Sequence, residues 1–399
     1  MRPLRLLYAL GPGNAVESYR CWKDGAEVLT ETSRTYSGQF FEFCRRGGHC
    51  GYAISSSRGP ERLIDGSMHV ENRPKRLTGS GIRFHLSQAL YGISIVLTAL
   101  RWRADVVIAD SGTTHWALLA PLKVLGIQVV GVLHNVSWPN GYKPTGRFKR
   151  IVLASEGWFW RHIASAVLSV SPECEQQVRE LAGNLTAHAV QYRAQFNRED
   201  FAPIPAAPPL WRAPFRVMFA GRIERFKGVF DLLKVAVVLQ RAHPGRVQFD
   251  ICGGGSALQE LNDAIRSNGL GKVVRTHGTL MRPALLKVYA ACHAVIVPTR
   301  SDFCEGMPLV CAEAILCHRP VVTSRLSNAV DVLPDALVIA TPDDPQSYAD
   351  AIQRLLGDAA LYERLCAACT ELQEQFYDPR TSLAAAFTTV FGDRVEQAL

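Results

Sequence analysis

The chain has 399 residues, of which 48% are hydrophobic and 20% charged, with a net charge of +8. That length exceeds one ordinary domain, and the composition excludes a disordered or collagen-like chain. The longest apolar run, residues 89–100, falls short of the roughly 20 residues that a membrane span needs, so a buried helix is expected there. At the N-terminus, basic and apolar residues run only to Gly11-Pro12-Gly13, which suits a first buried strand better than an export signal. We therefore expect a cytoplasmic protein. Most of the eleven cysteines sit in apolar runs, as Cys252, Cys311 and Cys317 do, and are expected to be reduced core residues. The pair Cys366 and Cys369 supplies only half of a structural zinc site.

The charge is unevenly spread. Residues 1–200 carry 24 Lys and Arg against 16 Asp and Glu, whereas the remainder is balanced. A basic first half suits an anionic partner: a phosphorylated acceptor, an acidic sugar or an anionic membrane surface. A dispersed basic surface that only aids solubility explains it equally well.

Apolar runs of strand length alternate with helical patterns, which predicts α/β layers around parallel sheets. In the first half, strands are expected at 4–10, 50–55, 105–110, 128–134 and 166–170, with helices at 40–46, 86–100, 115–124 and 173–181. Residues 11–36 form a long connection before the first of these helices. It reads as a lid or acceptor-binding loop, or as an ordinary surface excursion. Residues 142–150 and 158–162 interleave bases with aromatics, which suits a peripheral contact with an anionic membrane, although a core role for the aromatics is equally open. No nucleic-acid partner is expected. Residues 201–215 contain five prolines and read as a stiff linker. The second half repeats the pattern, with strands at 217–220, 248–252, 273–277, 294–298, 320–323 and 336–339. Its helices are expected at 229–241, 258–268, 283–291, 308–316, 345–356 and 359–375. The expected division is thus a domain over 1–200, the linker, a domain over 216–375, and a closing helix within 376–399.

Three segments carry chemistry. In the stretch from Arg300 to Glu313, Pro308 suits a first helical turn, and Gly306 leaves the backbone bare where free N–H groups attract an anion. Glu305 and Glu313 bracket that point. A strand ending at Ala220 runs into Gly221-Arg222, and Lys227 follows, which places two cations where a diphosphate is neutralised. Gly253-Gly254-Gly255 again follows a strand and permits close backbone approach.

Together these segments resemble the family-four retaining glycosyltransferases of the GT-B fold. The shared motifs are Gly221-Arg222 with Lys227-Gly228, the glycine turn at 253–255, and the E-x7-E motif of Glu305 and Glu313, in the family's order. The first half is similar more loosely, at Tyr36-Ser37-Gly38-Gln39, at Val132-Leu133-His134-Asn135 and at residues 168–171. The resemblance implies two Rossmann-like domains facing each other across a cleft. It implies that Arg222 and Lys227 bind the donor diphosphate and that Glu305 holds the donor sugar, with the backbone of Gly306, Met307, Pro308 and Leu309 nearby. Glu313 would bond the ribose, while Gly38, Gly221, Gly253 and Gly254 give close approach. His134 would stand by the reacting carbon or the acceptor. The implied reaction is transfer, with retention, of a sugar from a UDP- or GDP-sugar co-substrate to a hydroxyl acceptor. No further cofactor and no metal is expected, in keeping with the lack of a D-x-D motif. A lipid-linked or anionic acceptor at the inner membrane face, as in polysaccharide assembly, fits the basic half. An epimerase or hydrolase of the same fold, or a silent binding subunit, remains open. The chain departs from the family pattern at His293, at His318-Arg319-Pro320 and at residues 324–328.

Overall fold

Runs such as Val-Val-Ile-Ala-Asp at Val106–Asp110 are buried on every residue, the signature of parallel strands covered on both faces. In the computed structural model, which describes residues 3–26, 28–77, 79 and 81–392, such runs organise two sheets. The first comprises β1 (Arg5–Ala9), β2 (Cys50–Ser55), β3 (Glu61–Asp65), β4 (Met68–Asn72), β5 (Val106–Asp110), β6 (Gln128–Leu133), β7 (Ala166–Ser169) and β8 (His188–Gln191). Their order is β3-β4-β2-β1-β5-β6-β7-β8, parallel throughout except for the β3–β4 hairpin. The second comprises β9 (Phe215–Ala220), β10 (Val247–Cys252), β11 (Val274–Gly278), β12 (Ala294–Val297), β13 (Val321–Ser324) and β14 (Leu337–Ala340), in the order β11-β10-β9-β12-β13-β14 and parallel.

The hairpin strands β3 and β4 and the edge strand β8 were not expected. Their sequences, Glu-Arg-Leu-Ile-Asp, Met-His-Val-Glu-Asn and His-Ala-Val-Gln, lie at or next to a sheet edge and lack continuous apolar runs. Residues 11–36 are not the irregular insertion expected. They contain the helix Ala15–Lys23, whose start is set by Asn14: its Oδ1 accepts from the Glu17 N–H at 3.1 Å. Residues 142–162 also differ from expectation in being mostly one helix, Arg147–His162. The run at 89–100 is part of a helix, Ile82–Trp102, but its leucines and isoleucines are largely exposed rather than buried.

Residues 201–215 do not span free space. The backbone carbonyl of Pro208 accepts from the Tyr362 hydroxyl at 2.9 Å, and that of Pro205 accepts from the buried Arg319 guanidinium at 3.0 Å. Arg319 also donates to the carbonyls of Tyr289, Ala290 and Cys317, so this basic substitution in the family pattern ties the linker to its sheet. The helix Leu383–Gly392 returns to the first domain. Its N-terminus is satisfied by Gln39 Oε1, which accepts from the Leu383 N–H at 3.0 Å. Its Phe387 meets Tyr8 and Phe40 edge-on. The rest of the expected closing segment, residues 393–399, lies outside the described residues.

His293 stands between these layers. Its Nδ1 accepts from the Arg216 N–H at 3.0 Å, and its ring stacks on Phe215. Burial lowers its pKa from 6.5 to about 4, so the folded protein binds fewer protons there than the unfolded chain. The stabilisation is complete above pH 6.5 and declines as the pH falls toward about 4. A His293→Asn variant keeps an acceptor without the titration. Its melting temperature should fall less steeply than the parent's across that window, as differential scanning fluorimetry would read.

Candidate active site

The carboxyl ends of both sheets converge on one set of residues. On the first sheet, β6 ends at Leu133 and delivers His134, while β5 ends at Asp110. His134 Nδ1 lies 2.7 Å from the Tyr192 hydroxyl, and Nε2 lies 3.1 Å from Asp110 Oδ1, off the line of a good hydrogen bond. A carboxylate beside Nε2 favours the ring proton there and leaves Nδ1 to accept from Tyr192, whose own pKa burial raises far up. Asp110 in turn accepts from the Tyr8 hydroxyl at 2.7 Å and from the Gly11 N–H at 3.2 Å. Tyr36 stacks on the imidazole with centroids 4.6 Å apart. Asp110, Tyr192 and Tyr36 were missed by sequence reasoning, although Asp110 at the end of an apolar strand carried a legible signal.

On the second sheet, β9 ends at Ala220 and turns through Gly221 into a loop that carries Arg222 and Lys227. Lys227 Nζ donates to Glu305 Oε1, and the Thr299 hydroxyl donates to Glu305 Oε2. Glu305 is buried, and its backbone carbonyl accepts from Asn328 Nδ2 at 3.2 Å, so residue and loop are both held. Phe226 and Phe303 stack at 4.5 Å and form a platform beneath the cations, with Lys227 Nζ 4.5 Å from the Phe303 centroid. Arg222 lies over the same two rings, is exposed, and makes no ion pair among the described residues. Thr299 and Asn328 are further residues that the motifs did not reveal.

Pro308 is the N-cap of the helix Leu309–Leu316 rather than its first residue. The backbone N–H groups of Gly306, Met307, Leu309 and Val310 find no acceptor among the described residues. They lie at the positive end of the helix, beside Lys227, where an anion is favoured. Gly306 is also where the domains meet: a Cβ there would lie 1.8 Å from the His134 carbonyl oxygen. The glycine turn behaves differently from the expectation of approach to a ligand. A Cβ on Gly253 would lie 1.8 Å from the Gly221 carbonyl, so the two loops approach each other. Gly254 sits close against the Thr279 hydroxyl.

Two expected residues stand apart. Gly38 is not on a loop: it lies in the first turn of the helix Tyr36–Arg46 and donates its N–H to the N-cap Thr35 at 3.1 Å. Glu313 is buried with both oxygens engaged. Thr32 donates to one at 2.5 Å and Tyr289 to the other at 2.6 Å. Burial raises its pKa while the two hydrogen bonds hold it down. Thr32 belongs to a strap from the first domain whose Val28 and Glu31 carbonyls accept from the Arg282 guanidinium.

The family described as glycosyl transferases group 1 matches residues 206–371, and the glycosyl transferase 4-like domain matches residues 43–194. Between them they cover every strand of the two sheets except β1. The chain belongs to the family-four glycosyltransferases of the GT-B fold. It is 27% identical over 289 residues to a glycogen synthase of Mycobacterium tuberculosis, covering 71% of this chain and 68% of that one. It is 28% identical to the alpha-D-kanosaminyltransferase of Streptomyces kanamyceticus, over 66% of this chain and 69% of that one. The fold matches a sucrose-phosphate synthase from Thermosynechococcus elongatus with a TM-score of 0.73 at 18% identity, covering 99% of this glycosyltransferase and 100% of that chain. It also matches the Anabaena protein HepE in complex with UDP, with a TM-score of 0.65 at 16% identity and coverage of 99% and 100%. The site described above thus belongs to a glycosyltransferase.

The contact of Gly306 with His134 is the most sensitive point of this glycosyltransferase site. Gly306→Ala should force the facing loops apart and lower turnover by about a hundredfold, the scale on which small misplacements act. Steady-state kinetics would measure this, and a melting temperature within a few degrees of the parent's would show that the domains still fold.

Proposed function

We propose that this enzyme transfers a hexosyl unit from a UDP- or GDP-sugar to a hydroxyl acceptor, with retention at the anomeric carbon and without a metal or other cofactor. One observation carries the reading: Lys227 is held by Glu305 beside the N–H groups of Gly306, Met307, Leu309 and Val310, which are unsatisfied among the described residues, as Arg222 alongside is without an ion pair. Such a site offers a fixed cation, a free cation and a helix N-terminus to a diphosphate, and a carboxylate to sugar hydroxyls. On donor binding Lys227 turns to the phosphates, which releases Glu305 to the sugar. The bond from the anomeric carbon to the diphosphate oxygen then breaks, and its electron pair leaves with the nucleoside diphosphate. The acceptor oxygen bonds to the same face of that carbon, and its proton passes to the departing phosphate oxygen. Arg222 and Lys227 stabilise the charge that develops there, and His134, held by Asp110 and Tyr192, lines the reacting face.

Glu313 is assigned to the ribose, which requires the Thr32 hydroxyl to leave it. Gly38, Gly221, Gly253 and Gly254 shape the donor side through the loops and helix that they allow to pack. The acceptor is assigned as a lipid-linked or anionic glycan precursor at the cytoplasmic face of the cell membrane. The basic first half and the eleven free cysteines support this placement.

A thermal-shift screen against UDP, GDP, ADP and their sugar conjugates should raise the melting temperature with one base only. Arg222→Ala and Lys227→Ala should lose that shift. Glu305→Ala should keep the shift for the free diphosphate while transfer falls about a hundredfold or more. Full transfer by Glu305→Ala would remove its assigned role, and an inverted anomer in the NMR spectrum of the product would overturn retention. Thr32→Val should lower the donor KM by about fivefold, the worth of one hydrogen bond no longer competing. An unchanged KM would mean that Thr32 and the ribose do not share Glu313.

A further inference from the structure

The helix Ile82–Trp102 carries apolar residues on both of its faces. Its inner face buries Tyr91, Ile95 and Ala99 together with Ser87, Gln88 and Gly92. Gln88 binds the Gly112 carbonyl and the Lys75 ammonium, and a Cβ on Gly92 would strike the Thr114 hydroxyl. Its outer face carries Leu86, Leu90, Ile93, Leu97 and Leu100, each between 37% and 50% exposed. Their spacing of four and three makes one stripe about 21 Å long, at 1.5 Å per residue. Among the described residues no helix is long and apolar enough to cross a membrane, so the stripe is not part of a span.

The surface continues onto a second helix. His85 touches Phe148 at 4.9 Å, and Phe148, Ile151 and Trp158 are exposed along the helix Arg147–His162, while Phe159 and Trp160 are buried. The short helix Ala120–Val124 lies between the two in the chain and ends on the exposed Val124 and Leu125. The charge of these helices is of one sign. Arg83 and Arg101 stand on the first, Lys123 on the short one, and Arg147, Lys149 and Arg150 open the last. Their one carboxylate, Glu156, is half-buried, and desolvation pushes it up to about 7.

We infer that this face docks the enzyme on an anionic lipid bilayer, with the stripe at Leu86–Leu100 among the acyl chains and the arginines and lysines at the headgroups. Apolar residues flanked by cations and free of exposed acids match that surface. A second copy of the chain is a poor fit, because a two-fold contact would set the cations of one against those of the other. The two long helices begin beyond the carboxyl ends of β4 and β6, the side on which β6 delivers His134. The inference deepens the lipid-linked acceptor reading and rests on it for its purpose, though not for its test.

The full chain should co-sediment with vesicles of phosphatidylcholine mixed with phosphatidylglycerol, and not with phosphatidylcholine alone. Leu90→Gln combined with Leu97→Gln changes only exposed positions and should lower that partition at least tenfold. The melting-temperature rise with the cognate nucleotide should stay the same. Absence of wild-type binding, equal binding to neutral vesicles, or undiminished binding of the double variant would overturn the inference. So would a dimer, seen by light scattering, that the same substitutions dissolve. Vesicle binding without any nucleotide-induced shift would instead sink the donor assignment and leave the docking face standing.

Discussion

The site depends on one close contact. Two loops from different sheets meet where the His134 carbonyl faces Gly306, and no side chain fits between them. This brings the imidazole, with its Asp110 and Tyr192 partners, opposite the helix N-terminus that begins at Leu309. Everything on the donor side is then referred to that point. Asn328 holds the Glu305 backbone, Thr299 and Lys227 hold the Glu305 carboxylate, and the phenylalanine pair supports the cations. A larger residue at 306 would leave each half of the site intact and separate them. That is the costly failure if the groups of both halves act together, as proposed.

How much of this was legible depended on whether the information was local. The six strands of the second sheet lie within about two residues of their expected positions; apolar runs such as Ala294–Val297 mark the inner strands, whereas the edge strand Val274–Gly278 is largely polar. The hairpin at Glu61–Asn72 was missed because an edge strand needs only alternate burial, and alternation with Glu, Arg and His is a weak signal. The helix Ala15–Lys23 was missed despite its Asn14 and Glu17 pair, a cap that sequence does carry. In the site, Arg222, Lys227 and Glu305 were found from spacing along the chain, whereas Thr299, Asn328 and Tyr192 were not. Asn328 and Tyr192 act through contacts 23 and 58 residues away in the chain, whereas Thr299 reaches Glu305 within the same connection, where no motif marks it.

Glu313 shows how a motif can mislead about state. Its carboxylate is part of the family pattern, yet here Thr32 and Tyr289 occupy it. A buried carboxylate without such donors would be expensive, so the strap from the first domain satisfies a group that the donor is proposed to claim. Arg282 reinforces the same strap through the carbonyls of Val28 and Glu31. In the proposed assignment the Thr32 hydroxyl therefore competes with the ribose for Glu313.

The two ends of the cleft differ in kind. The groups proposed to recognise the donor are mostly held in place by the second domain, whose charge is balanced overall. The proposed acceptor side lies in the basic half, next to the helix Ile82–Trp102, whose leucines face outward. The stripe stays exposed while Tyr91, Ile95 and Ala99 of the same helix are buried. Polar contacts fix that orientation: Gln88 donates to the Gly112 carbonyl, Ser87 donates to the Leu77 carbonyl, and Gly92 packs against Thr114 and Leu118. The outward leucines are therefore fixed by the inward polar contacts, and the exposed face is a consequence of how the helix is held.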